Sequence, residues 1–425
     1  MTTAVTAASQ RRRRTHPLVV LLRWLVVLTL IAAVIAATAI AFAPAPRVGA
    51  TPLALPAPAG EPATITWPEG TARAAGFAVA GVDGSAEAWG EAEAVPMASL
   101  TKLITALVVL EAHPLSGSDR GAEVTLGRAD INALGAAVAE AAPTVPVFDG
   151  MVVEQRDLLE WSLVDSAANA SWSLANWAFG SIEAFVAAAN DWAERNELDT
   201  TVVADPSGLE LESRASAADM VELGLLSVAH PVVLETIGMA RVDVPGGSAA
   251  NTNPILGEGF VDGGKTGTLF VSGRNLLVTA ERDIEGEPRR IVAVVLGVVA
   301  QDDLNAATLA LVDSLWDDFG TTEVLPEGTP AIEYRAPWGA SVTAATVAPL
   351  ASDAFAQHLP AAALELQGSG DIEVGGARGE VASVRVTDAF GAVTQVPVRT
   401  EGMLAGPDIG WRFAHPADVL GWYLG

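Results

Sequence analysis

The most conspicuous hydrophobic pattern is an apolar segment close to the N-terminus. It follows four arginines at 11–14, is interrupted by Arg23, and then continues unbroken over residues 24–42, which is 19 residues. About 20 apolar residues in a helix cross the hydrocarbon core of a bilayer, and flanking basic residues stay on the cytoplasmic side. We therefore expect a basic cytoplasmic tail over residues 1–16, a transmembrane helix or signal anchor over residues 17–43, and an extracytoplasmic position for the rest of the chain.

The outer end of this segment also fits a second interpretation. Ala41-Phe42-Ala43 has the small-x-small form of a signal-peptide cleavage site, and cleavage there would release a secreted protein. The length of the apolar run favours the retained anchor. Residues 44–62 carry repeated prolines among alanine and glycine without periodicity, which predicts an extended Pro/Ala-rich linker.

Beyond the linker, the hydrophobic period alternates between that of strands and that of helices. Alternation on either side of Asp83-Gly84 predicts a hairpin. Later alternation predicts strands at about 264–271, 275–282 and 289–299, and helical periodicity predicts helices over 100–111, 153–164, 170–179, 182–195, 216–228 and 301–319. Strands, then helices, then strands, then a helix indicate an α+β fold, in which helices are segregated around an antiparallel sheet. We assign this domain to residues 63–322.

The pattern changes again after this domain. Short alternations of valine, threonine and alanine are separated by glycine, proline and aspartate. They predict a small β-rich C-terminal domain over residues 323–425.

The composition limits the possible partners and chemistry. The chain has 51 acidic and 24 basic side chains, a net charge of −27. Such a chain repels polyanions, so no nucleic-acid partner is expected. The absence of cysteine excludes a thiol nucleophile, a thiolate metal site and disulfides. Five histidines are scattered without ligand spacing, so we expect no metal, no cofactor and no Ser-His-Asp triad.

Only two of the 24 basic residues are lysines, and each lies in a short motif. The first closes Ser99-Leu100-Thr101-Lys102, and the second opens Lys265-Thr266-Gly267-Thr268. An ammonium group can lose its proton when it is desolvated, whereas a guanidinium cannot. Residues three apart on a helix share a face, so Lys102 can reach the Ser99 hydroxyl. The spacing therefore predicts a serine nucleophile that is activated by lysine rather than histidine.

A third motif lies between these two, and together they resemble a known family. Ser166 follows a predicted helix, and the stretches Asp205-Pro206-Ser207-Gly208-Leu209 and Asn251-Thr252-Asn253-Pro254 lie downstream. In this order, residues 70–320 resemble the D-alanyl-D-alanine carboxypeptidases, which are low-molecular-mass penicillin-binding proteins with S-x-x-K, S-x-N and K-T-G motifs. The resemblance implies a β-lactamase/transpeptidase-like domain, with an antiparallel sheet flanked by helices and an all-helical subdomain.

The resemblance also implies a role for each motif residue. Ser99 would be the nucleophile, Lys102 the general base and Ser166 a proton relay. The substrate-binding residues would be Asn169, Lys265, Thr266, Gly267 and Thr268. One departure concerns the second motif, because the family's asparagine position is occupied by Ala168. We expect the neighbouring Asn169 to supply the missing amide.

The family implies a serine-type D-Ala-D-Ala carboxypeptidase that removes the terminal D-alanine from peptidoglycan stem peptides and is inhibited by β-lactams. Its partners would be the stem peptide and, through the N-terminal helix, the membrane. One alternative is a serine β-lactamase of the same fold, for which Glu197 is the candidate carboxylate to activate water. Another is a non-catalytic wall-binding homologue, which only Ala168 supports.

Overall fold

The computed structural model describes residues 17–56, 64–355, 364–368, 370–376 and 379–423. The expected basic tail, residues 1–16, and the end of the expected linker lie outside the described residues. The described α-helices are α1 (Pro17–Phe42), α2 (Thr101–Ala112), α3 (Arg128–Ala139), α4 (Gln155–Leu163), α5 (Ala168–Phe179), α6 (Ile182–Arg195), α7 (Ala217–Ala229), α8 (Pro231–Ile237), α9 (Gln301–Trp316), α10 (Ile409–Ala414) and α11 (Pro416–Gly421).

The described strands are β1 (Ala50–Pro52), β2 (Ala74–Val79), β3 (Glu87–Gly90), β4 (Val95–Pro96), β5 (Glu123–Thr125), β6 (Val152–Glu154), β7 (Arg214–Ala215), β8 (Arg241–Val244), β9 (Gly247–Ala250), β10 (Val261–Leu269), β11 (Gly273–Ile284), β12 (Glu287–Val298), β13 (Phe319–Leu325), β14 (Pro330–Arg335), β15 (Ser341–Thr346), β16 (Leu350–Phe355), β17 (Glu365–Gln367), β18 (Glu380–Thr387) and β19 (Val393–Thr400).

A five-stranded antiparallel sheet, in the order β10-β11-β12-β2-β3, forms the centre of the first domain. Successive side chains of a strand point to opposite faces, and both faces of this sheet are covered. On β12, Val292 and Val294 pack into the core shared with the helical subdomain, whereas Ile291 and Val295 pack into the core shared with α9. The predicted antiparallel sheet with helices segregated around it is confirmed.

The helical subdomain contains α2 to α6 and is inserted between β3 and β10. Its central helix is α2, in which Thr101 to Leu110 are all buried. A helix that is apolar on all sides is stable only when it is surrounded by protein, and α4, α5, α6 and α7 contact α2. This arrangement fixes the first turn of α2 between the sheet and the helices.

The junction between the two domains differs slightly from the prediction. Helix α9 ends at Trp316 rather than at 319, and Phe319 begins β13, which pairs with β16 of the C-terminal domain. The Phe355 ring contacts the rings of Phe77 and Phe319 across the junction. The second domain therefore begins before residue 323 and shares part of its core with the sheet of the first.

Part of the expected linker is folded into the C-terminal domain. Strand β1 pairs with β14 at the edge of a six-stranded sheet, in the order β1-β14-β15-β19-β18-β17. Val48 also bridges to Ile372, and Arg47 forms an ion pair with Glu373 at 2.6 Å. The expectation of an extended linker is thus wrong for residues 47–52, because unpaired strand β14 offers backbone partners that the sequence does not reveal.

The C-terminal domain is not entirely β, because the short helices α10 and α11 follow its last strand. They contact the C-terminal end of α1. Helix α1 itself has 26 residues and contains an 18-residue window with a mean hydropathy of 2.8, and among the described residues it is the single unbroken helix that is long and apolar enough to span a membrane.

Candidate active site

Ser99 lies in a turn of 3-10 helix, Ala98 to Leu100, that leads directly into α2. Ala98 has a φ of 50°, a left-handed conformation that is unfavourable for a residue with a side chain. Ala98 and Leu100 are buried while Ser99 is half-buried. The turn therefore presents the serine hydroxyl to a cleft and holds its neighbours in the core.

Two positions that pack against this turn are glycine, because a side chain at either position would collide with the backbone of the turn. A Cβ on Gly267 would lie 2.7 Å from the Met97 carbonyl oxygen and 3.2 Å from the Ser99 nitrogen. A Cβ on Gly208, which has a φ of +76°, would lie 1.8 Å from the Ala98 oxygen. Strand β10 can thus approach the backbone of Ser99 only with glycine at 267.

Lys102 lies one turn after Ser99, and its Nζ is 2.7 Å from the Ser99 Oγ. The amine also donates a hydrogen bond to the Ser207 carbonyl oxygen at 3.0 Å. Lys102 is only 1% exposed, and desolvation lowers the pKa of its ammonium to about 7, against an opposing effect of the Asp205 carboxylate. A substantial fraction of Lys102 is therefore a neutral amine near pH 7.

The Asp205 carboxylate organises the loop that faces Lys102. It is 1% exposed and accepts hydrogen bonds from the Ser207 nitrogen and hydroxyl, the Gly208 nitrogen and the Ser213 hydroxyl, at 2.5 to 3.1 Å. These hydrogen bonds fix the Asp205 carboxylate in position. It orients the Ser207 carbonyl toward Lys102.

Ser166 lies between α4 and α5 with a φ of 59°. Its hydroxyl accepts a hydrogen bond from the Lys265 Nζ at 2.9 Å, and the same amine donates to the Thr266 carbonyl oxygen at 3.0 Å. Lys265 is completely buried. Desolvation first, and repulsion by Lys102 second, hold the pKa of Lys265 well below its usual value, while the half-buried Asp165 opposes this shift.

Strand β10 forms the opposite wall of the cleft, at the edge of the sheet. The Thr266 hydroxyl bonds to the Thr252 hydroxyl at 2.8 Å, and the Thr268 side chain is exposed. Asn275 of β11 ties this wall to the segment just before Ser99, since its amide donates to the carbonyl oxygens of Pro96 and Met97 at 3.0 and 3.1 Å. The structure thus brings together Ser99, Lys102, Ser166, Lys265, Thr266, Gly267 and Thr268.

Asn169 does not join this group. Its side chain is completely buried, accepts a hydrogen bond from the Val145 nitrogen and donates one to the Val145 oxygen, both at 3.0 Å. The expectation that Asn169 supplies the missing amide is wrong in this structure, because a one-residue shift turns a helical side chain by about 100°. Asn169 points into the protein and pins the loop that precedes β6.

Glu197, the carboxylate considered for a β-lactamase, lies just after α6 with an exposed side chain. Within the described part of the chain, no hydrogen bond or ion pair connects Glu197 to the cleft. The same described residues contain no group of three histidine, aspartate or glutamate side chains that could hold a metal ion.

Sequence reasoning missed the parts that support the catalytic turn. The sequence had pointed to Asp205 and Gly208 only as parts of a family stretch, without a role, although an Asp-x-Ser-Gly sequence is a signal for a tight turn. Asn275 carried no signal at all, because its partners at 96–97 are far away in the chain.

Comparison with known proteins identifies the family. The D-alanyl-D-alanine carboxypeptidase family, Peptidase_S11, matches residues 88–300. The D-alanyl-D-alanine carboxypeptidase DacD of Salmonella typhimurium is 30% identical over 240 residues, 54% of this chain, and the chain spans 59% of that relative.

Two solved structures share the fold. Penicillin binding protein 6B from Escherichia coli has a TM-score of 0.56 and 22% identity, over 78% of this chain and 96% of that one. Penicillin binding protein 5 from Haemophilus influenzae has a TM-score of 0.55 and 20% identity, over 80% of this chain and 100% of that one. The expected transpeptidase-like α+β fold is thereby confirmed, and the chain belongs to the Peptidase_S11 family of D-alanyl-D-alanine carboxypeptidases.

Proposed function

We propose that this protein is a serine-type D-Ala-D-Ala carboxypeptidase that removes the terminal D-alanine of peptidoglycan stem peptides and is acylated by β-lactams. The observation that carries this proposal is the 2.7 Å contact between the Ser99 hydroxyl and a buried Lys102 whose pKa lies at about 7. A neutral amine at hydrogen-bond distance can accept the proton of a hydroxyl. The hydroxyl oxygen thereby becomes an activated nucleophile.

In the acylation step, the Ser99 hydroxyl donates its proton to the neutral Lys102 amine. The Ser99 Oγ then attacks the carbonyl carbon between the two D-alanines. The backbone N–H groups of Ser99 and Thr268 bind the oxyanion that develops. Gly267 supports this arrangement, because its lack of a side chain lets β10 approach the Ser99 nitrogen.

The terminal carboxylate of the substrate binds to Lys265 and to the hydroxyls of Thr266 and Thr268. A carboxylate beside a buried amine favours the ammonium form, so substrate binding raises the pKa of Lys265. The proton is then held on Lys265, and the resulting charge keeps Lys102 neutral. The Ser166 hydroxyl, 2.9 Å from Lys265, relays the proton that Lys102 took from Ser99 to the nitrogen of the departing D-alanine as the C–N bond breaks, and Lys102 is then neutral again.

Hydrolysis of the acyl-enzyme reverses the proton path. Lys102 takes a proton from the attacking water and returns it to the Ser99 oxygen when the ester bond breaks. Because the Asn169 amide binds Val145 and Ala168 has no polar side chain, neither residue offers a side-chain amide to the substrate. Substrate amides bind with one donor fewer than in relatives that carry asparagine at that position.

The protein acts at the outer surface of the cell membrane, anchored by α1 in a single pass. The charge pattern around residues 11–42 supports the catalytic domain on the extracytoplasmic side, where stem peptides are accessible.

The test combines fluorescent penicillin labelling, peptide mass mapping and an assay of D-alanine release from a pentapeptide that ends in D-Ala-D-Ala. We expect an adduct on Ser99 and D-alanine release in the wild type, and neither in Ser99→Ala or Lys102→Arg. Ser248→Ala, on the exposed strand β9, is the matched serine control and retains both. An adduct that maps to another residue, or a wild type that neither binds penicillin nor releases D-alanine, would refute the proposal. Rapid turnover of the penicillin instead of a stable adduct would identify a β-lactamase.

A further inference from the structure

Trp172 connects α5 to the loop that faces the general base. It lies one helical turn after Ala168 on α5, and its indole Nε1 is 3.1 Å from the Ser207 Oγ. Residues four apart share a face of a helix, so Trp172 continues the face that begins at Ala168, while Asn169 is turned away from it. Within the part of the chain that the structure describes, this is the one side-chain hydrogen bond from α5 to the loop beside Lys102.

The direction of each hydrogen bond at the Ser207 hydroxyl is fixed by chemistry. An indole N–H can donate a hydrogen bond but cannot accept one, so the Ser207 oxygen accepts from Trp172. The proton of the Ser207 hydroxyl then goes to the Asp205 Oδ2, which lies 2.5 Å away. Ser207 is completely buried. The three side chains therefore form a directed chain from Trp172 through Ser207 to Asp205.

The backbone of Ser207 touches the base itself. Its carbonyl oxygen accepts a hydrogen bond from the Lys102 Nζ at 3.0 Å, and the same Nζ is 2.7 Å from the Ser99 Oγ. A neutral amine that gives one N–H to this carbonyl can direct its lone pair to the serine proton. The neighbouring Pro206 oxygen accepts from the Thr105 hydroxyl of α2 at 2.8 Å. The loop is thus held by α2 at Pro206 and by α5 at Ser207.

The hydrogen-bonded chain also bears on the charge that Lys102 experiences. Desolvation lowers the pKa of Lys102 to about 7, and the Asp205 carboxylate opposes that shift. Hydrogen bonds in a chain strengthen one another by about 10–30% per bond, so the Trp172 N–H strengthens the bond from Ser207 to Asp205. A carboxylate whose charge is better neutralised by donors holds a nearby proton less strongly. The indole therefore favours the neutral form of Lys102.

Other charged groups around Lys102 are not connected to this chain. Lys265, on β10, repels Lys102, and Asp165 favours the charged form of Lys265. Among the described residues, no hydrogen bond or ion pair joins either of them to Trp172. A change that is confined to the indole N–H therefore reaches Lys102 through the loop that contains Asp205.

We propose that Trp172 is a positioning residue for the general base, whose indole N–H fixes Ser207 and through it both the Asp205 carboxylate and the Lys102 amine. The proposal rests on the proposed acylation of Ser99 with Lys102 as base. Because Ala168 has no amide, it is this indole that couples the helix after Ser166 to the base.

The test measures the pH dependence of the acylation rate constant of the full-length protein with a chromogenic β-lactam. Trp172→Phe removes the N–H and keeps an aromatic ring. Benzothienyl-alanine at position 172 has sulfur in place of the N–H and the shape of tryptophan, so it answers the same question if Trp172→Phe does not fold. Trp161→Phe is the matched control, because the buried Trp161 indole of α4 also donates a hydrogen bond, to the Asp243 oxygen at 2.7 Å, away from Lys102.

We expect both replacements at 172 to move the ascending limb of the profile upward by about 0.3 pH unit. Below pH 7 this lowers the acylation rate constant about twofold beyond any change in the plateau. Trp161→Phe should lower the melting temperature without moving the limb. Ser207→Ala removes the hydroxyl that links the indole to Asp205 and should move the limb upward at least as far. In the Ser207→Ala background, Trp172→Phe should then add no further shift.

The outcomes separate this inference from the proposed function. A wild type that is acylated, with an ascending limb that neither replacement at 172 moves, would overturn the role of Trp172 and leave the proposed function intact. An equal shift caused by Trp172→Phe with and without the Ser207 hydroxyl would also overturn it, because the indole would then act by another route. A wild type that β-lactams do not acylate would overturn the proposed function and, with it, this inference.

Discussion

Acylation of Ser99 by a β-lactam should follow the protonation state of Lys102. Only the neutral amine accepts the serine proton, and burial lowers the pKa of Lys102 to about 7. The second-order acylation rate constant should therefore reach a plateau above pH 7 and fall about tenfold per pH unit below it, roughly 100-fold by pH 5. Loss of the proton from Lys265 acts in the opposite direction, because it weakens carboxylate binding, so the ascending limb belongs to Lys102.

The assay is stopped-flow acylation by a chromogenic β-lactam whose own charge is constant over the range. Asp205→Asn provides a directional check, since the Asp205 carboxylate raises the pKa of Lys102 and its removal should move the ascending limb to lower pH. Asp219→Asn is the matched control, because Asp219 is also buried and accepts several hydrogen bonds but belongs to α7. Thermal melting confirms that each variant is folded. An ascending limb near the ordinary lysine pKa, or one that Asp205→Asn moves upward, would show that desolvation does not activate Lys102.

Three further predictions concern other parts of the site. Gly267→Ala should reduce the acylation rate constant by about 100-fold or more, because a Cβ forces β10 away from Ser99 and weakens one oxyanion donor. Gly135→Ala in α3, where a Cβ meets nothing within 4 Å, should leave the rate constant unchanged. Equal rate constants for Gly267→Ala and the wild type would contradict the role assigned to Gly267. Asn169→Ala should lower the free energy of unfolding in urea by about 2–4 kcal/mol, since it leaves two backbone groups of Val145 unpaired, with acylation nearly unchanged; lost acylation at full stability would restore Asn169 as a substrate contact. The free energy of unfolding of the wild type, relative to that of Lys102→Met, should rise between about pH 7 and 10.5. In this range the unfolded chain holds a proton on Lys102 that the folded chain does not. The rise is at most about 5 kcal/mol, and a decrease would exclude a neutral buried amine at Lys102.

The parts of this site that depend only on neighbouring residues could be predicted from the sequence, because the regular spacing of one helix or one strand determines them. The three-residue spacing of Ser99 and Lys102 predicted their contact, and the alternating pattern over about residues 264–271 predicted the strand that carries Lys265. The same helical geometry explains the error at Asn169, because a one-residue shift at the start of α5 directs the amide to Val145 instead of the cleft. No sequence pattern reports that Val145 offers both of its backbone groups at that point.

The parts that sequence could not supply are contacts between distant segments. Strand β1 has three residues and ends in a proline, so its own propensity predicts no strand; it forms because β14, about 280 residues later, presents an unpaired edge. Asn275 likewise acquires its role only when β11 lies beside the segment at 96–97. Such contacts depend on topology, which a periodicity of 2 or 3.6 does not encode.

The different surroundings of the two lysines explain why one can act as a base and the other as a substrate contact. Lys102 faces Asp205, which is buried and held by several hydrogen bonds within its own loop. The pKa of Lys102 is therefore set by the fold. Lys265 faces Asp165, which is only half-buried and whose own pKa is raised by desolvation, so its charge is poorly compensated until another anion arrives. In the proposed mechanism a substrate carboxylate is that anion, and by placing the proton on Lys265 it keeps the proton off Lys102 at the moment when Ser99 must be deprotonated.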